Sequence, residues 1–406
     1  MSTHMPPAST PSALLTSGQV NLRILSIMIF NFSSYLTIGL PLAVLPGYVH
    51  DQLGYSAFWA GLVVSLQYFA TLLSRPYAGR YVDRVGPKRI VLFGLSGCLL
   101  SGVFYLLAAW QSAVPILSLT LLCVGRVMLG VGQSFAGTGS TLWGIGLVGS
   151  RHIGKVISWS GVVTYGAMAI GAPLGVLIHQ FGGLKTLSFS VMCIAALAIM
   201  LAIPKPGVAS SAAKPLPFST VLGKVLPHGL ILGLASSGFG VIATFITLFY
   251  ADKGWGGAAF SLTIFSCAFV GTRLLLPNCI SKFGGLRVSV VCFCVEIIGL
   301  LMVWLAVSPV MALLGALLTG AGFSLVFPAL GVEAVKRLPQ QNQGSALATY
   351  TAFLDLSLGI TGPLAGLLMS RAGVPAIYLA SAFAVFLSLL LALRMIRQQQ
   401  GEPQKS

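Results

Sequence analysis

Three ionisable side chains stand deep inside long apolar stretches: Asp355, Glu296 and Arg126. An ionised group in such a place costs roughly a few kcal/mol or more unless it is paired or wetted, so each must have a task or a partner. A carboxylate in a poorly solvated site can take up and release a proton as its surroundings alternate between water and protein. Asp355 is the first candidate for that exchange, because it follows Tyr350 and precedes a helix-breaking Gly362-Pro363. Glu296 is the second, and reads equally well as a hydrogen-bonded structural acid. Arg126 has no carboxylate of its own half at its depth, since Asp51 and Asp83 lie at the ends of apolar runs. Its partner is therefore backbone, water, a solute or a carboxylate from the second half of the chain. On this reading Asp355 and Arg126 are the expected coupling pair. His50-Asp51 reads either as a proton-entry pair or, more plainly, as the polar edge of a loop.

Other chemistries fit poorly. Gly94-Leu-Ser96-Gly97 matches a G-x-S-G pattern, but a serine nucleophile needs a base within hydrogen-bond reach. The five histidines, His4, His50, His152, His179 and His228, fall in tails, loops or run ends. No G-x-x-x-x-G-K-[ST] phosphate loop occurs, so an ATP-driven pump is excluded. The seven cysteines all lie in apolar runs without zinc-site spacing and read as small packing residues, so no metal site is expected.

The elements that must position these residues follow from composition. Of 406 residues, 56% are hydrophobic and 7% charged, against roughly 25% charged in soluble domains. The bilayer is therefore the solvent. The formal charge of +16 would suggest nucleic acid in a soluble protein, but the basic residues sit in connectors rather than on one binding face. Runs of roughly 20 apolar residues predict twelve transmembrane helices: 21–47, 57–78, 90–110, 114–138, 157–179 and 184–203, then 226–250, 258–280, 287–307, 309–330, 343–369 and 374–395.

The two sets repeat one another. Arg75, Arg84, Gly86 and Arg89 fall on Arg273, Lys282, Gly284 and Arg287, 198 residues on, without a gap. Gly54-Tyr55 sits 200 residues before Gly254-Trp255, and Gly154 and Pro173 sit 190 residues before Gly344 and Pro363. The expected organisation is an N-terminal tail (1–20), a six-helix half (21–203), a Pro-, Gly- and Ser-rich linker (204–225), a second six-helix half (226–396) and a short tail (397–406). Among the 23 Lys and Arg, Lys185, Lys253 and Arg371 lie on one side, Arg75, Arg126 and Arg273 lie within or at the edge of spans, and all the rest lie on the side of the termini. The positive-inside rule then places both termini in the cytoplasm. Parallel repeats of this kind place a solute site between the halves near the membrane midplane.

Gly79-x-x-x-Asp83-Arg84-x-Gly86-x-Lys88-Arg89, between spans two and three, resembles the signature loop of the major facilitator superfamily, with Pro87 in place of its first basic residue. Arg126-x-x-x-Gly130-x-Gly132 in span four is similar to that superfamily's second motif. Gly171-Ala-Pro-Leu-Gly175 matches the exporters' motif in part, with Ala172 where that motif has glycine. Segments 56–70, 132–143, 340–344 and 355–359 narrow the resemblance to a subfamily of bacterial permeases in the efflux branch.

The resemblance implies an all-α inner-membrane secondary transporter of two pseudo-symmetric halves, not an enzyme. Gly79, Asp83, Arg84, Gly86, Lys88 and Arg89 would form a conformational latch broken when the halves rock, with Gly79 and Gly86 allowing the turn. Arg126 would serve proton relay or solute positioning; the plainer reading is a structural arginine bonded to exposed carbonyls. A path along spans one, four, seven and ten makes Asn31, Tyr35, Gln133, Tyr250 and Phe323 candidate solute contacts, with Gln67 at their margin; such residues also serve as interhelical hydrogen-bond partners. The expected function is proton-coupled efflux of a small organic solute by a monomer in a bacterial inner membrane. It would use the proton gradient and no cofactor, with no nucleic acid as partner. Uptake by proton symport and a non-transporting sensor are the alternatives.

Overall fold

With no water in a bilayer core to satisfy backbone groups, apolar segments of this length must be helical. In the computed structural model, which describes residues 17–149, 152–208, 218–276, 278–336 and 343–401, every regular element is a helix. The first set is α1 (Ser17–Leu42), α2 (Leu45–Gly47) with a π-helical turn Tyr48–Gln52, α3 (Ala57–Val85), α4 (Pro87–Trp110), α5 (Pro115–Val148) and α6 (Ile153–Ala202). The second is α7 (Phe218–Asp252), α8 (Ala259–Leu275), α9 (Cys279–Phe283), α10 (Gly285–Trp304), α11 (Pro309–Ser324), α12 (Val326–Lys336), α13 (Gln343–Ala372) and α14 (Ala376–Gly401).

Among the described residues, ten helices are long and apolar enough to cross a membrane. Helix α6 counts twice, because Gly182 (φ −163°) and Gly183 (φ 64°) break it into two crossings. The shorter apolar α8 completes twelve. The expected spans 157–179 and 184–203 are thus one continuous element interrupted at a glycine pair, not two helices joined by a loop.

Proline and glycine set the breaks. Pro87, Pro115 and Pro309 each open a helix at its first position, where a missing N–H costs nothing. The duplication appears in backbone angles too: Gly86 (φ 85°) and Gly284 (φ 84°) both end one helix and start the next. Gly54 with Gly254, and Gly183 with Gly373, are further positive-φ pairs at the repeat offsets.

Within each half the helices meet through small residues, as lipid-immersed helices do when van der Waals contact replaces the hydrophobic effect. Gly94 and Gly132 bring α4 against α5, and Gly299 and Gly315 bring α10 against α11 in the matching place. The halves meet along α3 against α13 and α6 against α8. On the first seam Ala57 faces Gly366, Gly61 faces Gly362, and the Ser65 hydroxyl donates to the Leu358 carbonyl at 3.2 Å. On the second, Thr263 donates to the Ala169 carbonyl at 2.9 Å, and the Tyr165 and Phe269 rings stack with centroids 3.6 Å apart. Leu42, Ala43, Met168 and Ala172 of the first half join the largest buried apolar cluster together with second-half residues such as Ile242, Ile246 and Leu262. The halves are therefore sealed on the side away from the termini.

Candidate functional site

Asp355 lies in α13, and its carboxylate receives both Nε (2.7 Å) and Nη2 (2.6 Å) of Arg75 on α3. The pair joins the two halves. The Asp355 side chain is 4% exposed and that of Arg75 21%, so the acid is sealed while the guanidinium keeps a route to water. The pair sits about ten residues before the end of α3 at Val85, or about 15 Å along the helix at 1.5 Å per residue.

The expected pairing of Asp355 with Arg126 is not formed. Arg126 of α5 is fully buried and donates to the Val63 carbonyl (3.3 Å) and the Val64 carbonyl (3.1 Å) of α3. Its contact point on α3 lies about a dozen residues from Arg75, roughly 18 Å along the axis, beyond the reach of any side chain. Tyr105 is its polar neighbour, and no carboxylate pairs with it among the described residues. Arg126 therefore bolts α5 to α3. We expect Arg126→Met, which keeps the length and drops the donors, to lower stability by about 1 kcal/mol and to leave the pH dependence of the surviving transport unchanged. Melting in detergent and transport at several pH values check this; a flat pH profile would restore the relay reading.

Glu296 of α10 is fully buried. Its Oε1 lies against the bare backbone of Gly238 on α7, where an added Cβ would come within 2.6 Å. Neither carboxyl oxygen meets a hydrogen-bond partner among the described residues. The two acids therefore occupy different settings: Asp355 is ion-paired at a seam, and Glu296 is enclosed within the second half.

Between α1, α3, α5 and α6 runs a connected polar cluster. Gln67 Nε2 donates to Gln133 Oε1 (2.6 Å), and Gln133 Nε2 donates to the Tyr35 hydroxyl (3.0 Å). Asn31 Nδ2 donates to Ser160 (3.3 Å) and Thr164 (3.2 Å) of α6. Tyr35 lies within electrostatic reach of both Arg75 and Asp355, which ties the cluster to the ion pair. Asn31 Oδ1 and Gln67 Oε1 are buried acceptors without a partner among the described residues. Gln67 is thus central to the cluster, not marginal.

A second cluster, of aromatic rings, joins α6, α7, α8 and α11. Phe323 of α11 stacks near Phe239 (6.2 Å between centroids, 7° between planes) and lies 6.1 Å from Phe269. Tyr165 of α6 touches Phe239 and Phe269. Tyr250 lies elsewhere: its hydroxyl accepts from Ser261 (3.0 Å) and donates to the Pro309 carbonyl (3.1 Å). It belongs to the packing at the far end of α7.

The expected latch is only partly a turn. Gly79 lies inside continuous helix α3 with nothing near its missing Cβ, so the turn rests on Gly86 alone. Lys88 Nζ donates to the Ile203 carbonyl at 2.6 Å, capping the end of α6 in its own half. Arg84 and Arg89 are exposed; Asp83 is in the last turn of α3, and its side chain lies outside the described residues. Of the linker, 209–217 also lie outside them, as does most of the 340–344 segment; Pro206 is held by the Trp143 indole N–H at 3.1 Å.

Single-sequence reasoning missed Arg75, Ser160, Thr164, Tyr165, Phe239 and Phe269 as site residues. For Arg75 the sequence shows no matching depth: the expected span 57–78 puts it three residues from the terminal-side end and the expected span 343–369 puts Asp355 twelve residues in, and only the extension of α3 to Val85 brings the two level.

The chain matches the Major Facilitator Superfamily profile over residues 27–357 and 259–406. It is 68% identical to the uncharacterized MFS-type transporter YhhS of Escherichia coli (strain K12) over 389 residues, 96% of each chain. It is 67% identical, over the same share of both, to the protein of that name from Salmonella typhimurium (strain LT2). Among solved structures it superposes on a D-xylose-proton symporter with a TM-score of 0.74 at 16% identity, covering 91% of this chain and 97% of that one. The chain belongs to the major facilitator superfamily and is one of its multi-pass secondary transporters.

Proposed function

We propose that this transporter couples proton movement to export of a small organic solute, and that the Arg75–Asp355 pair is the coupling element. The observation that carries the proposal is a charged hydrogen-bonded pair bridging the two halves at 2.6 Å. With Asp355 ionised, Arg75 ties α3 to α13. With Asp355 protonated, the attraction between full charges is gone and the seam can part. One proton thereby selects between two arrangements of the same helices. Glu296 is the second proton site on this reading.

The solute would lie between the amide and hydroxyl wall of Asn31, Tyr35, Gln67 and Gln133 and the aromatic wall of Phe239, Phe269 and Phe323. Asn31 Oδ1 and Gln67 Oε1, without a partner among the described residues, suit a donor group on the solute, and the rings suit its apolar face. Residues 21–203 and 226–396 would rock as units in a monomer. The Lys and Arg asymmetry supports cytoplasmic termini in a bacterial inner membrane, and the sealed side is then periplasmic.

The test follows an internal-pH dye in inverted vesicles as sugars, amphiphilic cations and organic acids are added in turn. Export by antiport predicts that one class dissipates the acid interior with the unaltered protein and not with Asp355→Asn. Uptake by symport is the second reading, favoured by Ala172 in place of the exporters' glycine. It predicts solute accumulation in right-side-out vesicles when the outside is acidified. Neither response from any class would refute proton coupling for those solutes.

A further inference from the structure

The two halves differ where α3 and α8 end. Helix α3 runs unbroken to Val85, whereas α8 stops at Leu275 and the chain resumes as the short α9. Sequence explains the difference: Pro277 stands at the repeat position of Gly79. A proline has no N–H to continue a helix and pushes the residue before it out of helical angles, and Leu276 indeed adopts φ −118°, ψ 48°.

The missing turns leave a cleft of about 440 Å³ between α8, α9, α10 and α11, on the membrane side that carries the termini. Val288, Val291, Val295, Ala321 and Leu325 line it, and among the described residues Arg287 is the one charged side chain in the lining. It faces outward, with Leu275 81% and Val291 64% exposed. In a bilayer such a slot is filled by hydrocarbon or forfeits contacts along its whole lining. The rim adds selectivity. Arg287 lines the cleft and is exposed, and Lys282, also exposed, lies 5.2 Å from the ring centroid of Phe283, another lining residue. The acid of this corner, Glu333, is already engaged by Lys336 (3.3 Å) and the Gly285 N–H (3.2 Å). Among the described residues no carboxylate pairs with Arg287 or Lys282.

We propose that this cleft is a lipid site: one acyl chain of an anionic phospholipid lies in the slot, and its phosphate is held by Arg287 and Lys282. Basic pockets at the ends of membrane helices select anionic head groups at about fivefold per cation.

Native mass spectrometry of the purified protein, equilibrated in turn with phosphatidylglycerol, phosphatidylethanolamine and phosphatidylcholine, tests the site. The unaltered protein should retain phosphatidylglycerol preferentially. Arg287→Gln should cut that preference about fivefold, and Arg287→Lys should keep most of it. Ala321→Phe, which fills the slot and leaves the rim intact, should reduce retention of all three lipids. Equal retention of the three lipids by the unaltered protein would overturn the proposal. So would a preference that Arg287→Gln leaves intact. Arg287 is exposed, so its variants should fold whatever Ala321→Phe does.

Discussion

Asp355→Asn is expected to abolish proton-driven transport, lowering net solute flux by on the order of tenfold or more (~1.4 kcal/mol), while the protein still inserts and folds. Asparagine keeps the shape and one acceptor oxygen but cannot lose a proton or carry charge. Arg75 then loses its counter-ion, yet at 21% exposure it retains water, so the loss of stability should fall below the roughly 3–5 kcal/mol seen when a buried pair is broken. Arg75→Gln is the more damaging single change, because it leaves Asp355 at 4% exposure without a cation. The double variant Arg75→Gln, Asp355→Asn separates structure from coupling. Replacing both partners of a buried pair is often nearly neutral, so stability should return while gradient-driven flux stays low. Recovery of proton-driven flux in the double variant would mean that the pair is a structural tie, and proton coupling would have to move elsewhere.

The repeat places Tyr165 where the second half has Asp355, 190 residues on, and Arg273 where the first half has Arg75. Across the other seam the structure brings these two near one another without an ion pair: Arg273 lies over the Phe269 ring at 4.8 Å, within electrostatic reach of Tyr165 and close to the bare Gly161 backbone, and donates to the Ser324 carbonyl at 2.8 Å. One seam thus carries an ion pair and the other an arginine among aromatic rings. Only the first changes its charge balance when a carboxylate takes a proton.

That asymmetry was legible in part from sequence. Span number, the repeat and its punctuating glycines follow from hydropathy and spacing, because lipid leaves the backbone little choice but helix. The depth of a residue along a span follows too, which is why Asp355, Glu296 and Arg126 stood out. What does not follow is azimuth. In spans that are apolar nearly all round, no polar stripe tells which face looks at which neighbour. Arg126 therefore read either as the coupling partner of Asp355 or as an arginine bonded to backbone, and only its azimuth, turned to the Val63 and Val64 carbonyls, decides for the second. Tyr250 read as a solute contact, although it turns to Ser261 and Pro309. Helix α8 stops at Leu275, inside the expected span 258–280, and α3 runs unbroken through Gly79, where a turn is expected: glycine permits a bend without imposing one, and only neighbouring packing decides whether it is used.

Gly61→Ala should shift the protein toward the arrangement open on the side away from the termini, without unfolding either half. A methyl group on Gly61 would stand 2.4 Å from the Gly362 carbonyl oxygen and 3.0 Å from the Phe245 ring, all in the second half. Backbone cannot swing aside as a side chain can, so α3 and α13 must separate. Gly175 is the control: its methyl would stand 1.9 Å from the Leu40 carbonyl oxygen, inside the first half. The same chemical change there strains the fold of one half, not the closure of two. Overpacking of this kind costs about 1–3 kcal/mol, which at Gly61 becomes a shift of about 5- to 150-fold in the open-to-closed ratio and at Gly175 a lower melting temperature. A reporter cysteine at Leu42, fully buried in the sealed cluster, on a background without the seven native cysteines, reads the difference through its labelling by a membrane-impermeant maleimide. Labelling should rise with Gly61→Ala at an unchanged melting temperature, and should stay low with Gly175→Ala. If Gly61→Ala lowers the melting temperature and leaves Leu42→Cys protected, the α3–α13 seam does not open in the transport cycle, and Arg75–Asp355 is then a permanent tie.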